Sequence, residues 1–142
     1  QSGRLFMELR DKLSLCYTVS ASQMESLDGG YFGFYIGTSP EKKDQALEAM
    51  QKEVDRLLNE KISEKEWKQA RQFVLGNHGI EEQRLAHQAS DLALSELYGL
   101  GYEDHFAFKD KLNALGVSDL QRVAQKYFSS KKQVLSVVEP AI

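Results

Sequence analysis

Asp28-Gly29-Gly30-Tyr31-Phe32-Gly33-Phe34-Tyr35-Ile36-Gly37 is a turn signal running straight into a strand. Phe32, Phe34 and Ile36 fall on one face of that strand. Gly33 and Gly37 fall on the other, where they weaken an isolated strand but allow another backbone to come close. Upstream, from Cys16 to Met24, the residues alternate with period two: Tyr17, Val19 and Ala21 on one side, Cys16, Thr18 and Ser20 on the other. Two alternating runs joined through an Asp-Gly turn predict an antiparallel hairpin.

Outward from the hairpin the period changes to that of a helix. On the amino side, Leu5, Phe6, Leu9 and Leu13 recur at helical spacing from Ser2 to about Leu13. On the carboxy side, Ser39-Pro40-Glu41 is a helix start, because proline at the first helical position loses no hydrogen bond. Leu47, Met50, Val54, Leu57 and Leu58 then mark a helical face to about Asn59. Ser63 and Glu66 have the spacing of a capping box, flanked by Ile62 and Trp67 as a hydrophobic staple. The helix they open carries Ala70, Phe73, Val74 and Leu75 toward Gly76. Gly79 is read as an interruption, with a further helix from about Ile80 to Tyr98 closed by Gly99-Leu100-Gly101. Another helix is expected from roughly Glu103 to Ala114, and a last one from a capping box of Ser118 and Gln121. Val134 to Val138 reads as a buried strand ended by Pro140.

Helices between a hairpin and a late strand predict an α+β fold, a mostly antiparallel sheet with helices packed on one face. Three strands make a small sheet, so a first strand and helix are expected to be missing at the amino end. The 142 residues suit a single domain, 1–142.

Composition narrows the partners. The 42% hydrophobic and 27% charged fractions are those of a soluble globular chain. With 18 basic against 21 acidic side chains and no basic run, nucleic acid is not expected as a partner. No stretch approaches the ~20 apolar residues that span a bilayer, so no membrane partner is expected. The chain opens at Gln1 without a methionine, as a fragment or processed chain would. Cys16 is the single cysteine and can form neither an internal disulfide nor a multi-thiolate zinc site.

Four stretches, in order, carry a family resemblance. They are Ser2-Gly3-Arg4-Leu5-Phe6 running into Leu9-Arg10-Asp11-Lys12, then Leu15-Cys16-Tyr17-Thr18-Val19-Ser20-Ala21. Gly29-Gly30-Tyr31-Phe32 follows with Tyr35-Ile36-Gly37-Thr38-Ser39-Pro40-Glu41-Lys42, and last comes Glu96-Leu97-Tyr98-Gly99-Leu100-Gly101-Tyr102. Together they resemble the second-half domains of the insulinase/pitrilysin-type zinc metallopeptidases, a family that includes mitochondrial processing peptidase. The resemblance implies repeated α+β domains in two halves that enclose a peptide substrate. It places zinc in the first half, on a His-x-x-Glu-His motif that this chain lacks. It also implies that the second half contributes an arginine and a tyrosine, seven positions apart, reaching toward the scissile peptide; Arg10 and Tyr17 match them. Hydrogen-bond donors of this kind stabilise the negative oxygen that forms when an amide is attacked. Strict alternation would put Tyr17 on the face of Val19 and Ala21, under the helices. Its ring is free only if regular pairing begins after it.

His78-Gly79-Ile80-Glu81-Glu82 is a near miss to the zinc motif. It is set aside because it straddles the interruption expected at Gly79, whereas a ligand pair needs one continuous helical face, and because it lies late in the domain, while the resemblance puts the zinc motif on the first helix of the family's first domain. His87 and His105 are read as lacking a ligand at helical spacing, and Cys16 as a packing residue. The chain is therefore expected to be the substrate-enclosing, non-zinc-binding carboxy-terminal domain of a zinc metalloendopeptidase, holding no cofactor itself while the intact enzyme holds zinc. Its expected partners are the catalytic half, in the same polypeptide or a partner subunit, and a peptide substrate; an exposed sheet edge would also permit a homo-oligomer. The alternative is a catalytically inactive relative serving as a structural or peptide-binding domain.

Overall fold

The structure, a computed structural model, describes residues 3–128 and 133–140. It divides into two compact units, residues 1–60 with 124–142 and residues 61–123. Among the described residues no helix is long and apolar enough to cross a membrane.

The first unit is built on the hairpin. Strands β1 (Thr18–Ser26) and β2 (Gly29–Gly37) pair antiparallel in a register that sets Val19 opposite Ile36 and Ala21 opposite Phe34. Ser26 faces Gly29, so the connection is the two residues Leu27 and Asp28, one step earlier than the glycines suggested. Gly30 lies inside the strand, where a Cβ would come within 2.5 Å of the Met24 carbonyl oxygen. Its lack of a side chain serves the close approach of two strands, not the turn. Phe32 and Phe34 pack on Phe128, with ring centroids 5.2 and 5.7 Å apart, and this aromatic contact anchors the hairpin to the chain beyond residue 124.

Preceding the hairpin is a helix whose residues Phe6–Lys12 are wound as a π-helix. It buries Leu9 completely and pairs Glu8 with Lys12 at 2.6 Å. Ser14, at φ +50°, reverses the chain. The Leu15 N–H then donates back to the Leu9 carbonyl at 2.8 Å, a Schellman-like closure widened by one residue to suit the π winding. After β2, a 3₁₀ turn at Pro40–Lys42 leads into α1 (Lys43–Asn59), which buries Ala46 and Val54 beside the carboxylate of Glu53.

The late strand expected at Val134–Val138 does not form. That segment has no regular structure, and Val134 and Val138 are 96% and 95% exposed. Ordering a chain without ladder bonds or burial returns nothing for the entropy lost. Its described tether is the ion pair of Glu139 with Lys43 at 2.6 Å.

The second unit is helical. In α2 (Glu64–Glu81) the Ser63 hydroxyl accepts the Glu66 N–H at 3.2 Å, and Ile62 and Trp67 are both buried, as the capping box and staple predicted. The helix runs unbroken through Gly76 and Gly79, contrary to the interruption expected there. A glycine costs a helix about 1 kcal/mol relative to alanine, less than the cost of abandoning a hydrogen-bonded turn. The break falls at Arg84, which turns extended (φ −103°, ψ 112°) before α3 (Leu85–Leu97). That helix ends in a Schellman motif: the Gly99 N–H meets the Glu96 carbonyl and the Leu100 N–H the Ser95 carbonyl, both at 3.0 Å. Helix α4 (Asp104–Ala114) packs on α2 and α3. Helix α5 (Val117–Tyr127), whose residues from 124 onward belong to the first unit, starts one residue before the expected capping box. There Asp119 reaches back to accept the Gly116 N–H at 3.0 Å. The architecture is α+β, with a two-stranded antiparallel hairpin in the first unit and helices in both.

Candidate functional site

Regular pairing begins at Thr18, so Tyr17 stands just outside the ladder, held by its N–H on the Gly37 carbonyl at 3.1 Å. That frees its ring from the Val19 face. A Cβ built on Gly37 would meet the Tyr17 ring, which places the ring over the opposite surface of the hairpin. Tyr17 is 69% exposed and borders an open cleft of about 1130 Å³ that Tyr31, Gly33, Tyr35 and Thr38 also line.

The turn that delivers Tyr17 is pinned from several sides. The Thr38 hydroxyl donates to the Leu15 carbonyl at 2.6 Å, and Lys42 Nζ donates to the Ser14 carbonyl at 2.8 Å. Arg10 lies on the exposed side of the π-helix, its guanidinium carbon 4.8 Å above the Phe6 ring. Stacking of this kind steadies a long cation by about 0.5–1 kcal/mol while leaving its N–H groups accessible. Cys16, between the two, is half-buried. Burial pushes its thiol up, and the nearby Arg10 charge pulls the other way without reversing the shift. A thiol so placed is a poor nucleophile.

Metal-ligating side chains gather elsewhere. Among the described residues, two groups of three share Glu82: His78, Glu82 and His87, and Glu82, Asp91 and His105, with the ligand atoms of each group within 4.8 Å of one another. Neither group lies in the unit that carries Arg10 and Tyr17, so the surroundings of that pair do not fit a zinc ion. One of the two grounds for setting His78 aside is gone, since α2 is continuous through Gly79 and Glu82 caps it; its place late in the chain still separates it from the family's zinc motif. His87 does have a partner at helical spacing: Asp91, four residues on, with Nε2 and Oδ2 3.2 Å apart. The signal in the sequence was the repeated four-residue step, 78 to 82 and 87 to 91.

A family model described as the peptidase M16 inactive domain matches residues 1–74. Two uncharacterized zinc proteases, of Rickettsia bellii and Rickettsia felis, are 23% and 24% identical over 129 residues. These alignments take in 91% of this chain, and the chain spans 31% of the length of those curated relatives. Among solved structures, the inactive peptidase domain of a candidate zinc protease from Bordetella parapertussis has a TM-score of 0.79 at 22% identity, over 99% of this chain and 77% of that one. The periplasmic protease PqqL of Escherichia coli has a TM-score of 0.67 at 20% identity, over 87% of this chain and 14% of that one. The fold is that of these domains, and the ordered motifs, the absent zinc motif and the matched family model agree. The chain belongs to the peptidase M16 family, as its carboxy-terminal, inactive domain.

Proposed function

We propose that this domain encloses peptide substrate for a zinc-dependent metalloendopeptidase, lending donors to the scissile carbonyl and no ligand to the catalytic zinc. It works with the catalytic half, in the same polypeptide or a partner subunit, where zinc supplies the activated water. The observation that carries the reading is the position of Tyr17. Its phenol stands outside the ladder at the edge of an open cleft, on a turn held by three described hydrogen bonds. Arg10, on the exposed side of the preceding helix, is the second donor. A guanidinium and a phenol both donate to an oxygen that becomes negative, and donors fixed in advance need no reorganisation when the charge forms.

The test uses the intact peptidase that contains this domain. Tyr17→Phe and Arg10→Ala should each lower kcat about a hundredfold, with KM changed only a few-fold. Unchanged turnover in both variants would reduce the pair to scaffold. If the intact protein has no peptidase activity and Tyr17→Ala weakens peptide binding, the domain is instead a peptide-binding module of an inactive relative.

A further inference from the structure

All three histidines of the chain meet in the second unit, with two carboxylates between them. His78 and Glu82 come from the end of α2, His87 and Asp91 from the first two turns of α3, and His105 from the start of α4. His105 is 6% exposed at its side chain, and its Nε2 lies 3.0 Å from Glu82 Oε2. The other Glu82 oxygen, Oε1, is buried and has no hydrogen-bond partner among the described residues. Facing it, His87 Nε2 stands 3.9 Å from Glu82 Oε1, 3.2 Å from Asp91 Oδ2 and 3.7 Å from Glu81 Oε2.

An ordinary network of histidine–carboxylate ion pairs leaves this arrangement incomplete. One proton on His87 Nε2 cannot serve three carboxylates at once, and a buried carboxylate oxygen without a partner costs about 1–3 kcal/mol or more. A cation between Glu82 Oε1, His87 and His78 would give that buried oxygen its missing partner. We propose that this cluster binds one divalent transition-metal ion of the zinc class, with His78, Glu82 and His87 as ligands and Asp91 as the fourth. His105 is a positioning residue: by holding Glu82 Oε2 it turns Oε1 toward the ion, the usual role of a partner behind a metal ligand. Imidazole with carboxylate favours zinc, cobalt or nickel over calcium and magnesium, which prefer oxygen alone. Ligand atoms around a tetrahedral zinc are about 3.4 Å apart, given bonds of roughly 2.1 Å. His78, Glu82 and His87 already offer ligand atoms within 4.8 Å of one another, and Asp91 Oδ2 lies 3.2 Å from His87 Nε2, so bringing the four onto one ion calls for rotation of half-buried side chains.

The ring of His78 packs on Phe108 of α4 at 4.2 Å, which supplies an apolar wall on one side of the site. The ion would clamp the α2–α3 joint, where Arg84 breaks the helix, and draw it onto α4 through His105. The proposal does not depend on the roles of Arg10 and Tyr17.

The test is titration of the metal-stripped 142-residue chain with zinc chloride by calorimetry, with cobalt absorption reporting coordination. One equivalent should bind with a Kd of about 1 µM or tighter. Glu82→Gln and His87→Ala should each weaken binding at least about tenfold, while Arg10→Ala leaves it unchanged. His105→Gln, which can still donate to Glu82 Oε2, should retain the affinity that His105→Leu loses. Circular dichroism identifies any variant that fails to fold, and Asp91→Asn then carries the same comparison. Absence of saturable binding, or binding equally tight in Glu82→Gln, His87→Ala and Asp91→Asn, overturns the proposal.

Discussion

Gly37 lies beneath the ring of Tyr17: a carbon added at position 37 would come within 3.0 Å of Tyr17 Cε2 and 2.7 Å of Thr18 Cγ2. The missing side chain is what lets the phenol rest across the end of the hairpin. Gly37→Ala should therefore displace the ring and cost about 1–3 kcal/mol, as overfilling a packed position does. The denaturant midpoint of the isolated chain measures the cost. In the intact peptidase the same change should reproduce much of the loss seen with Tyr17→Phe, and a midpoint and turnover both unmoved would show that the ring yields freely.

A second test concerns α1. Arg56 Nη1 lies 2.9 Å from both oxygens of the buried Glu53, and its Nε is 2.9 Å from Glu60 Oε2. These two carboxylates raise the guanidinium above its ordinary range. Arg56→Leu would leave the Glu53 carboxylate buried and unpaired. Breaking a fully buried pair costs about 3–5 kcal/mol, and the partial exposure of Arg56 reduces the expected loss to about 1–3 kcal/mol. Adding Glu53→Gln to Arg56→Leu should recover part of it; no recovery would locate the loss in packing, not charge.

Ser63 caps α2 through the Glu66 N–H. Ser63→Ala should lower stability by about 1 kcal/mol, and Ser63→Gly by only a few tenths. Equal losses in the two variants, measured by thermal unfolding, would argue against the hydroxyl as the cause.

The continuity of α2 has its own consequence. Gly79 lies within the helix with open space around a built Cβ. Gly79→Ala should stabilise the chain by about 0.5–1 kcal/mol, because alanine loses less freedom on entering a helix. A destabilised variant would restore the interruption that the sequence pattern implied.

The start of α5 should show in acid. The Gly116 N–H, then Arg122, hold the Asp119 carboxyl below its usual range. A depressed carboxylate contributes stability that is complete above its unfolded pKa and disappears as pH falls through the folded value. The contribution therefore fades below about pH 4, the ordinary aspartate value. Asp119→Asn should flatten that part of the stability–pH curve, and a slope identical to that of the parent chain would assign the acid response to other groups.

Local pattern was enough wherever the physics is local. The hairpin was legible because period-two alternation specifies which face each side chain takes, and a one-residue slip would invert them all. The Ser63 cap and the Gly99 helix end were legible because each satisfies backbone groups within a few residues. Gly79 was misread because a penalty near 1 kcal/mol is easily outweighed by helix on both sides. The strand at Val134–Val138 was misread because apolar β-branched residues signal a preference for a ladder without specifying a strand for them to pair with.

By itself, the sequence determined the α+β class, the hairpin faces, the family and the spacing of Arg10 and Tyr17, all of which rest on neighbours in the chain. Tertiary structure decided that Tyr17 leaves the ladder before regular pairing begins, because the Ser14 reversal and the bare Gly37 surface set its direction. It also decided that three histidines spread from position 78 to position 105 share one small volume. Helix packing brings them together, and no pattern along the chain records how one helix lies on another.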